Sequence, residues 1–387
     1  MGGGRRVHDP ERGWHSPYWE PIASGCRFKP MALEFQGGAP WSRAAEGLPT
    51  FFLDGLNALS RLRHISGGSA ALPGSETAVL GRVGRELVRR TGVELDLTAI
   101  LREDLARRQT ALPLFQGILN RADPKVVVVE CSYDKHTLIE AAQREAVPVV
   151  EIQHGVVSRH HFGYHFPRQS GTPAVFPDWF LAWGNYWKTA AVYPMEAHRI
   201  LATGFPRFDR ERGSVEHLQP SDTILFLSQT MLGDVLSRFA AELADLGFRD
   251  RIVYRLHPLE VTGWRNLYPW LVDAGVRVSG PEVPLYGELR TAAIHVGTFS
   301  TALFEGLGLG AAVYLVEAPG VEYMTELIEG DWVTLTRTPA ELATAIRTDE
   351  HRPASRIREN FFRAGALDHT CTAIEAIARG NAPGKEG

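Results

Sequence analysis

From residue 125 onward the chain repeats one pattern: a short aliphatic run, a stretch with helical spacing, then another short aliphatic run. Lys125-Val-Val-Val-Val-Glu130 and Val147-Pro-Val-Val-Glu-Ile152 do not alternate polar with apolar residues, so they read as strands buried on both faces of a parallel sheet. KHTLIEAAQREA between them has helical spacing, and right-handed crossover is the default for such a strand–helix–strand unit. Asp178–Trp183 and His198–Thr203 are further strands, with a helix expected at YWKTAAVY. GFPRFDRERGSVEHLQPSD, dense in Gly, Pro and charge, then interrupts the pattern and reads as a linker over 205–222. The alternation restarts with strands at Thr223–Ser228, Arg251–Leu256, Val276–Val278, Ala293–Val296 and Ala312–Val316, separated by helix-patterned stretches. The expected fold class is α/β, with two doubly wound, Rossmann-like sheets facing a cleft and ligands beyond the carboxyl ends of their strands.

The chain's 387 residues suit two domains at roughly 150 residues each. The boundaries read from the pattern are an irregular N-terminal segment (1–50), a first domain (51–204) that opens with helical spacing, the linker (205–222), a second α/β domain (223–350), and a C-terminal helix and tail (351–387). With 41 basic and 45 acidic side chains, the net charge is -4, which argues against a nucleic-acid partner. Cys26, Cys131 and Cys371 are too few and too scattered for a disulfide framework or a zinc site, so a cytoplasmic location is expected. No apolar run approaches the ~20 residues of a membrane span, and MGGGRRVHDPERGWHSP lacks the apolar core of a signal peptide. Peripheral attachment at the inner face of a membrane stays open, as does the oligomeric state.

Four segments place chemistry-bearing residues at strand ends. In Glu151-Ile-Gln-His154-Gly155, a neutral His154 has the intrinsic pKa to take a proton from an acceptor hydroxyl; its plainer role is to hold the loop by a backbone hydrogen bond. In Tyr254-Arg-Leu-His-Pro258, Arg255 and His257 are able to hold a diphosphate by charge-assisted hydrogen bonds, unless His257 packs at the sheet edge. In His295-Val-Gly-Thr-Phe-Ser-Thr-Ala-Leu-Phe-Glu305, Ser300 or Thr301 caps a helix whose N-terminus attracts phosphate, with Glu305 a turn further on. The plain alternative is a capping box that only starts the helix. Glu130 and Asp134 are carboxylates at another strand end, where each is a candidate base, although Asp134 also suits a helix N-cap. The group Arg159, His160, His161, Tyr164 and His165 has no zinc-type spacing, and no metal is expected. The chain has no Asp-x-Asp, P-loop or first-strand GxGxxG motif, which weakens a metal-bridged diphosphate site, a P-loop ATPase and a simple dehydrogenase.

In order, VPVVEIQHG, the stretch from Trp183-Gly184 to TGFPRFD, ILFLSQ, YRLHP and VGTFSTALFEGLGLG resemble bacterial capsule and surface-polysaccharide glycosyltransferases of the GT-B fold. Related patterns occur in β-Kdo transferases, HP-motif sialyltransferases and teichoic-acid polyol-phosphate transferases. Relative to the last group, Ile-Gln rather than Trp precedes this His-Gly, and Gly-Thr-Phe-Ser stands where they have Ser-Asp-Tyr-Ser. The resemblance implies a nucleotide-sugar donor on the C-terminal domain and an acceptor on the N-terminal one. It implies donor-phosphate contacts for His257, Ser300 and Thr301 and a ribose contact for Glu305. With the residues read above, the expected donor set is Arg255, His257, Thr298, Ser300, Thr301 and Glu305, and the expected catalytic set is His154, Glu130 and Asp134.

The resulting expectation is a metal-independent glycosyltransferase that needs no cofactor. Its donor is a nucleotide sugar, and its acceptor is a glycan, a lipid-linked molecule or a small molecule. A polyol-phosphate transferase, a nucleotide-sugar epimerase and a non-catalytic nucleotide- or glycan-binding subunit are the alternatives.

Overall fold

The computed structural model describes residues 7–9, 13–34, 48–65, 72–167, 171–348 and 360–381. The chain divides into two compact units: residues 1–152, 174–179 and 374–387, and residues 153–173 and 180–373.

The first unit opens with two small pairings, β1 (Val7–Asp9) antiparallel to β2 (Gly13–His15) and β3 (Ala32–Glu34) parallel to β4 (Thr50–Phe52). Between these pairs lies the short helix α1 (Glu20–Gly25). Helices α2 (Asp54–Ile65), α3 (Gly74–Thr91) and α4 (Leu97–Ala122) account for the helical spacing read there. In α4, Asp96 caps the N-terminus by accepting the Ala99 N–H at 2.9 Å, and left-handed Asp123 ends the helix. Strand β5 (Val127–Glu130), helix α5 (His136–Arg144) and strand β6 (Val149–Ile152) follow as the expected unit, with β5 and β6 parallel. Phe115 and Leu119 of α4 share a core with Val129, Leu138, Ile139 and Val149.

Strand β7 (Trp179–Ala182), of which Phe180–Ala182 belong to the second unit, pairs in parallel with β8 (Ile200–Ala202). The helix expected at YWKTAAVY is only a 3-10 turn over Tyr186–Lys188. There the Trp187 indole is fully buried and donates to the Phe361 carbonyl at 2.8 Å, while the Tyr193 hydroxyl takes the Trp187 carbonyl that a longer helix would need. The stretch 205–222 contains α6 (Pro206–Val215). Proline pre-sets the first turn of α6, and its Phe208 is buried, with its ring 4.1 Å from that of Phe362.

The rest of this unit is built on a six-stranded sheet: β9 (Ser221–Leu227), β10 (Ile252–Arg255), β11 (Arg277–Ser279), β12 (Ala292–Gly297), β13 (Ala312–Val316) and β14 (Thr334–Thr336). The spatial order is β11-β10-β9-β12-β13-β14, and every adjacent pair is parallel. Numbered within the sheet, this is 3-2-1-4-5-6, the doubly wound order whose direction reverses between its first and fourth strands, here β9 and β12. The connecting helices are α7 (Gly233–Leu243), α8 (Trp264–Leu267), α9 (Pro269–Asp273), α10 (Leu285–Thr291), α11 (Thr301–Leu309), α12 (Thr325–Glu329) and α13 (Pro339–Thr348). Another helix, Ala366–Ala378, lies near the end of the chain. Ile224, Leu225 and Phe226 of the central strand are fully buried, as an unalternated aliphatic run requires.

Among the described residues no helix is long and apolar enough to cross a membrane. Cys131 is a free cysteine, whereas Cys26 and Cys371 are disulfide-bonded. That departs from the reading of scattered thiols, because separation along a sequence says nothing of pairing in space.

Candidate functional site

The carboxyl ends of β9, β10 and β12 bring most of the expected donor residues to one edge of the second unit. Past β10, the Leu259 backbone N–H donates to His257 Nδ1 at 3.2 Å, so Nδ1 is an acceptor and the Thr230 hydroxyl also donates to it, at 3.1 Å. With Nδ1 accepting, Nε2 is the ring nitrogen that carries the N–H. The loop is pinned from behind by Glu260, which is 2% exposed: Oε2 accepts the His257 backbone N–H at 2.8 Å and Oε1 accepts the Tyr268 hydroxyl at 2.7 Å. Gly233 at the start of α7 makes room for this pair, since a Cβ there would lie 1.9 Å from the Tyr268 hydroxyl oxygen.

Past β12 the chain turns directly into α11. Ser300 is the N-cap, its Oγ accepting the Ala302 N–H at 3.2 Å while its carbonyl accepts that of Leu303. The Phe299 N–H donates to Gln229 Oε1 at 3.2 Å, tying this turn to the end of β9. Thr298 is fully buried, and its Oγ1 has no hydrogen-bond partner among the described residues. Thr301 is half-buried at the first helical position. Glu305 is buried and accepts the Tyr286 hydroxyl at 2.7 Å rather than closing a capping box. Burial raises its carboxyl pKa, against the opposing pull of the Arg207 guanidinium and the Tyr286 hydrogen bond. His295, one strand position from Val296, is also fully buried. Desolvation pushes its pKa down to about 4, so the ring is neutral and lies against Gly306, where a Cβ would sit 2.0 Å from Nδ1.

Arg255 is engaged elsewhere: its guanidinium pairs with Glu288 and donates to the Val283 carbonyl at 2.9 Å. Both partners of the ion pair are largely buried, so this arginine braces the loop before α10.

His154 belongs to the same unit. It is 4% exposed, with Nδ1 3.3 Å from the Tyr164 hydroxyl. The preceding residue fixes its loop: Gln153 Oε1 accepts the Trp183 N–H at 2.9 Å, its carbonyl accepts the Trp183 indole N–H at 3.0 Å, and its side-chain amide donates to the Gly155 carbonyl at 2.8 Å. Of the histidines that follow, His161 and His165 each accept a backbone N–H on Nδ1, from Gly163 and Val192. Arg159 forms ion pairs with Glu326 at 2.7 Å and Glu329 at 2.5 Å. Among the described residues no group of three or more His, Cys, Asp or Glu is arranged to hold a metal ion.

Glu130 and Asp134 lie in the first unit. Glu130 is 5% exposed, with Oε2 3.5 Å from the Ser16 hydroxyl. Asp134 pairs with Lys135 at 2.5 Å and does not cap α5, whose N-cap position is Lys135 without a side-chain cap bond. Cys131 between them has φ +70°, a strained conformation for a side-chain-bearing residue. Burial pushes its thiol pKa up to about 12, so it is not a ready nucleophile.

Sequence reasoning did not single out Gln153, Thr230, Glu260, Tyr268, Tyr286 or Glu288. Glu260 carried a local signal, because an acid three residues after a strand-end histidine is positioned to reach back to that histidine's N–H. The partners of Gln153 and Glu288 are some thirty positions away and leave no local trace.

No protein-family model matches the chain, and no curated protein matches its sequence. Solved structures do match. A crystal structure assigned as a UDP-N-acetylglucosamine 2-epimerase from Listeria monocytogenes superposes with a TM-score of 0.50 at 12% identity, covering 73% of this chain and 82% of that one. A glycotransferase of kitacinnamycin gives 0.49 at 14% identity, covering 76% and 89%, and MurG from Acinetobacter baumannii gives 0.42 at 14% identity, covering 75% and 87%. At such identities the likeness concerns architecture: the chain is an α/β protein with the GT-B type of fold.

Proposed function

We propose that the chain is a metal-independent glycosyltransferase that binds its nucleotide-sugar donor at the β9–β12 switch point. One observation carries this reading. A fully buried Thr298 hydroxyl without a partner among the described residues stands at the capped head of a nine-residue helix, with the proton-bearing Nε2 of His257 on a neighbouring loop. A buried hydroxyl left unbonded is costly, and a helix N-terminus favours an anion. A donor phosphate satisfies both.

In the proposed reaction the acceptor oxygen bonds to the anomeric carbon as the bond from that carbon to the phosphate oxygen breaks. His154 takes the hydroxyl proton. The nucleotide leaves with negative charge gathering on its phosphate, where His257 Nε2–H, the Thr298 and Thr301 hydroxyls and the α11 N-terminus oppose it. Glu305, anchored by Tyr286, is assigned to the nucleotide ribose, and Arg255 supports this edge through Glu288. The product class is a surface polysaccharide assembled in the cytoplasm.

The likeness to a UDP-N-acetylglucosamine 2-epimerase at a TM-score of 0.50 supports a second reading, epimerisation of the donor itself. A thermal-shift panel of CMP, CDP, UDP, GDP and dTDP, with and without magnesium, followed by product analysis on the matching nucleotide sugar, separates the two. Stabilisation by one nucleotide irrespective of metal, with sugar consumed only when an acceptor is added, is the expected result. An epimeric nucleotide sugar formed without acceptor favours the second reading, and no shift with any nucleotide overturns both.

A further inference from the structure

The amino ends of β9, β12 and β13, at the opposite edge of the sheet from His257 and Thr298, line a cavity of about 510 Å³ that lies wholly within the second unit. Its floor is made of small side chains, Ala292 and Ala293 at the start of β12 and Ala311 and Ala312 at the start of β13, with Ile294 beside them. A strand in the middle of a parallel sheet is ordinarily covered on both faces, yet Ala293 and Ile294 are only half-buried. The chain is irregular at this point: α10 runs into β12 without a loop, and the pairing of β12 with β9 shifts register between Ala292 and Ile294. Such a bulge bends the strand and re-aims its side chains.

Three charged side chains line the same cavity: Asp222, Arg251 and Arg290. Arg251 Nε donates to the Asp222 carbonyl at 2.8 Å and lies 3.2 Å from its Oδ2, so these two charges answer each other. Arg290 is half-buried and has no hydrogen bond or ion pair among the described residues. The cavity therefore presents one uncompensated positive charge beside an apolar floor.

We propose that this cavity binds an aromatic carboxylate, its rings on the alanine floor and Ile294 and its carboxylate on the Arg290 guanidinium. Neighbouring strands that carry little more than alanine make a flat bed, which a planar ring system covers more completely than a branched chain. The guanidinium fork matches the two carboxylate oxygens. A phosphomonoester fits less well, because it carries close to two negative charges. Asp222 and the carbonyl end of α11, which borders the cavity at Leu309 and Gly310, both act against the second charge. The inference does not depend on the donor reading. β12 spans Ala292–Gly297, and at the rise of a strand its two ends are about 17 Å apart, so both edges can be occupied together.

The test is calorimetric titration with 2-naphthoate, with 2-naphthamide and 2-naphthyl phosphate as its neutral and doubly charged counterparts. The wild type is expected to bind one naphthoate per chain, and the amide and the phosphate at least about tenfold more weakly. Arg290→Gln is expected to weaken naphthoate by about ten- to a hundredfold while leaving the amide unaffected, and Arg290→Lys to recover part of the loss. Ala293→Leu fills the floor and is expected to abolish binding, with thermal denaturation checking that this variant is folded. Absence of naphthoate binding, or equal affinity in wild type and Arg290→Gln, overturns the proposal. Repeating the titration with saturating UDP and CDP keeps the two sites apart: unchanged affinity supports the proposal, and competition overturns it by placing naphthoate at the β9–β12 switch point. Absent nucleotide binding counts against the donor reading alone.

Discussion

The Leu259 amide N–H donates to His257 Nδ1 at 3.2 Å, and that bond decides which ring nitrogen offers its proton to a ligand. His257→Ala removes the donor. Calorimetry with the stabilising nucleotide diphosphate is expected to show affinity reduced by about ten- to a hundredfold, the range for losing one hydrogen bond to a charged group. His257→Gln, which retains an N–H donor, is expected to recover part of the loss. Wild-type affinity in His257→Ala removes this residue from the donor site.

Thr298 offers a test in which stability and binding move separately. Thr298→Val keeps the shape and deletes a hydroxyl with no partner among the described residues. Urea denaturation is expected to show stability unchanged or slightly higher, since an unbonded buried hydroxyl stabilises nothing. Nucleotide affinity is expected to fall by about five- to tenfold. A marked loss of stability with full nucleotide affinity would show that the hydroxyl serves the fold instead.

The difference between these residues and their supports also marks what the sequence reveals. Strands such as Ile224–Phe226 announce themselves because burial on both faces leaves only aliphatic choices, and the turn at Gly297–Ser300 follows from a strand meeting a helix cap. Glu260 leaves only a spacing after His257 that many surface acids share. Gln153 leaves less, because its task is to hold backbone groups of a distant stretch of chain, and nothing in residue type or spacing marks that. YWKTAAVY misled because its apolar spacing mimics a helix, whereas Trp187 and Tyr193 spend their polar atoms on tertiary bonds. Arg255 matches a phosphate-binding pattern that many arginines match, and nothing local in the sequence announces that its guanidinium is held by Glu288.

His295 predicts a pH dependence. Its folded-state pKa of about 4 lies below the ordinary 6.5, so the unfolded chain binds the extra proton across that interval. Stability is therefore full above pH 6.5 and declines as pH falls towards 4, by about 2 kcal/mol at pH 5 and about 3 kcal/mol by pH 4. Denaturant titrations at pH 7 and pH 5 check this. His295→Asn is expected to be less stable at neutral pH but to lose this component of the pH dependence; an unchanged pH profile would place the titrating group elsewhere.

Arg255→Ala leaves Glu288 largely buried without its guanidinium. Chemical denaturation is expected to show a loss of about 3 kcal/mol, with Glu288→Gln in the same chain restoring part of it. The accompanying loss of nucleotide affinity is expected to be the smaller effect. The reverse ranking would make Arg255 a direct ligand-binding residue.

Ile224 is paired on one side with Ile252 and on the other with Ile294. Those two pairings have very different spans along the chain, and the longer one forms the seam at which the site opens. Pairings that close long loops are entropically late, so this seam closes only after β12 has been synthesised and has returned to the first strand of its sheet. A ligand held across a late-formed seam stabilises interactions that are absent at the folding barrier. On the proposed reading, a donor bound there is expected to slow unfolding without hastening folding, so that substrate supply would lengthen the lifetime of the native chain as well as fill its site.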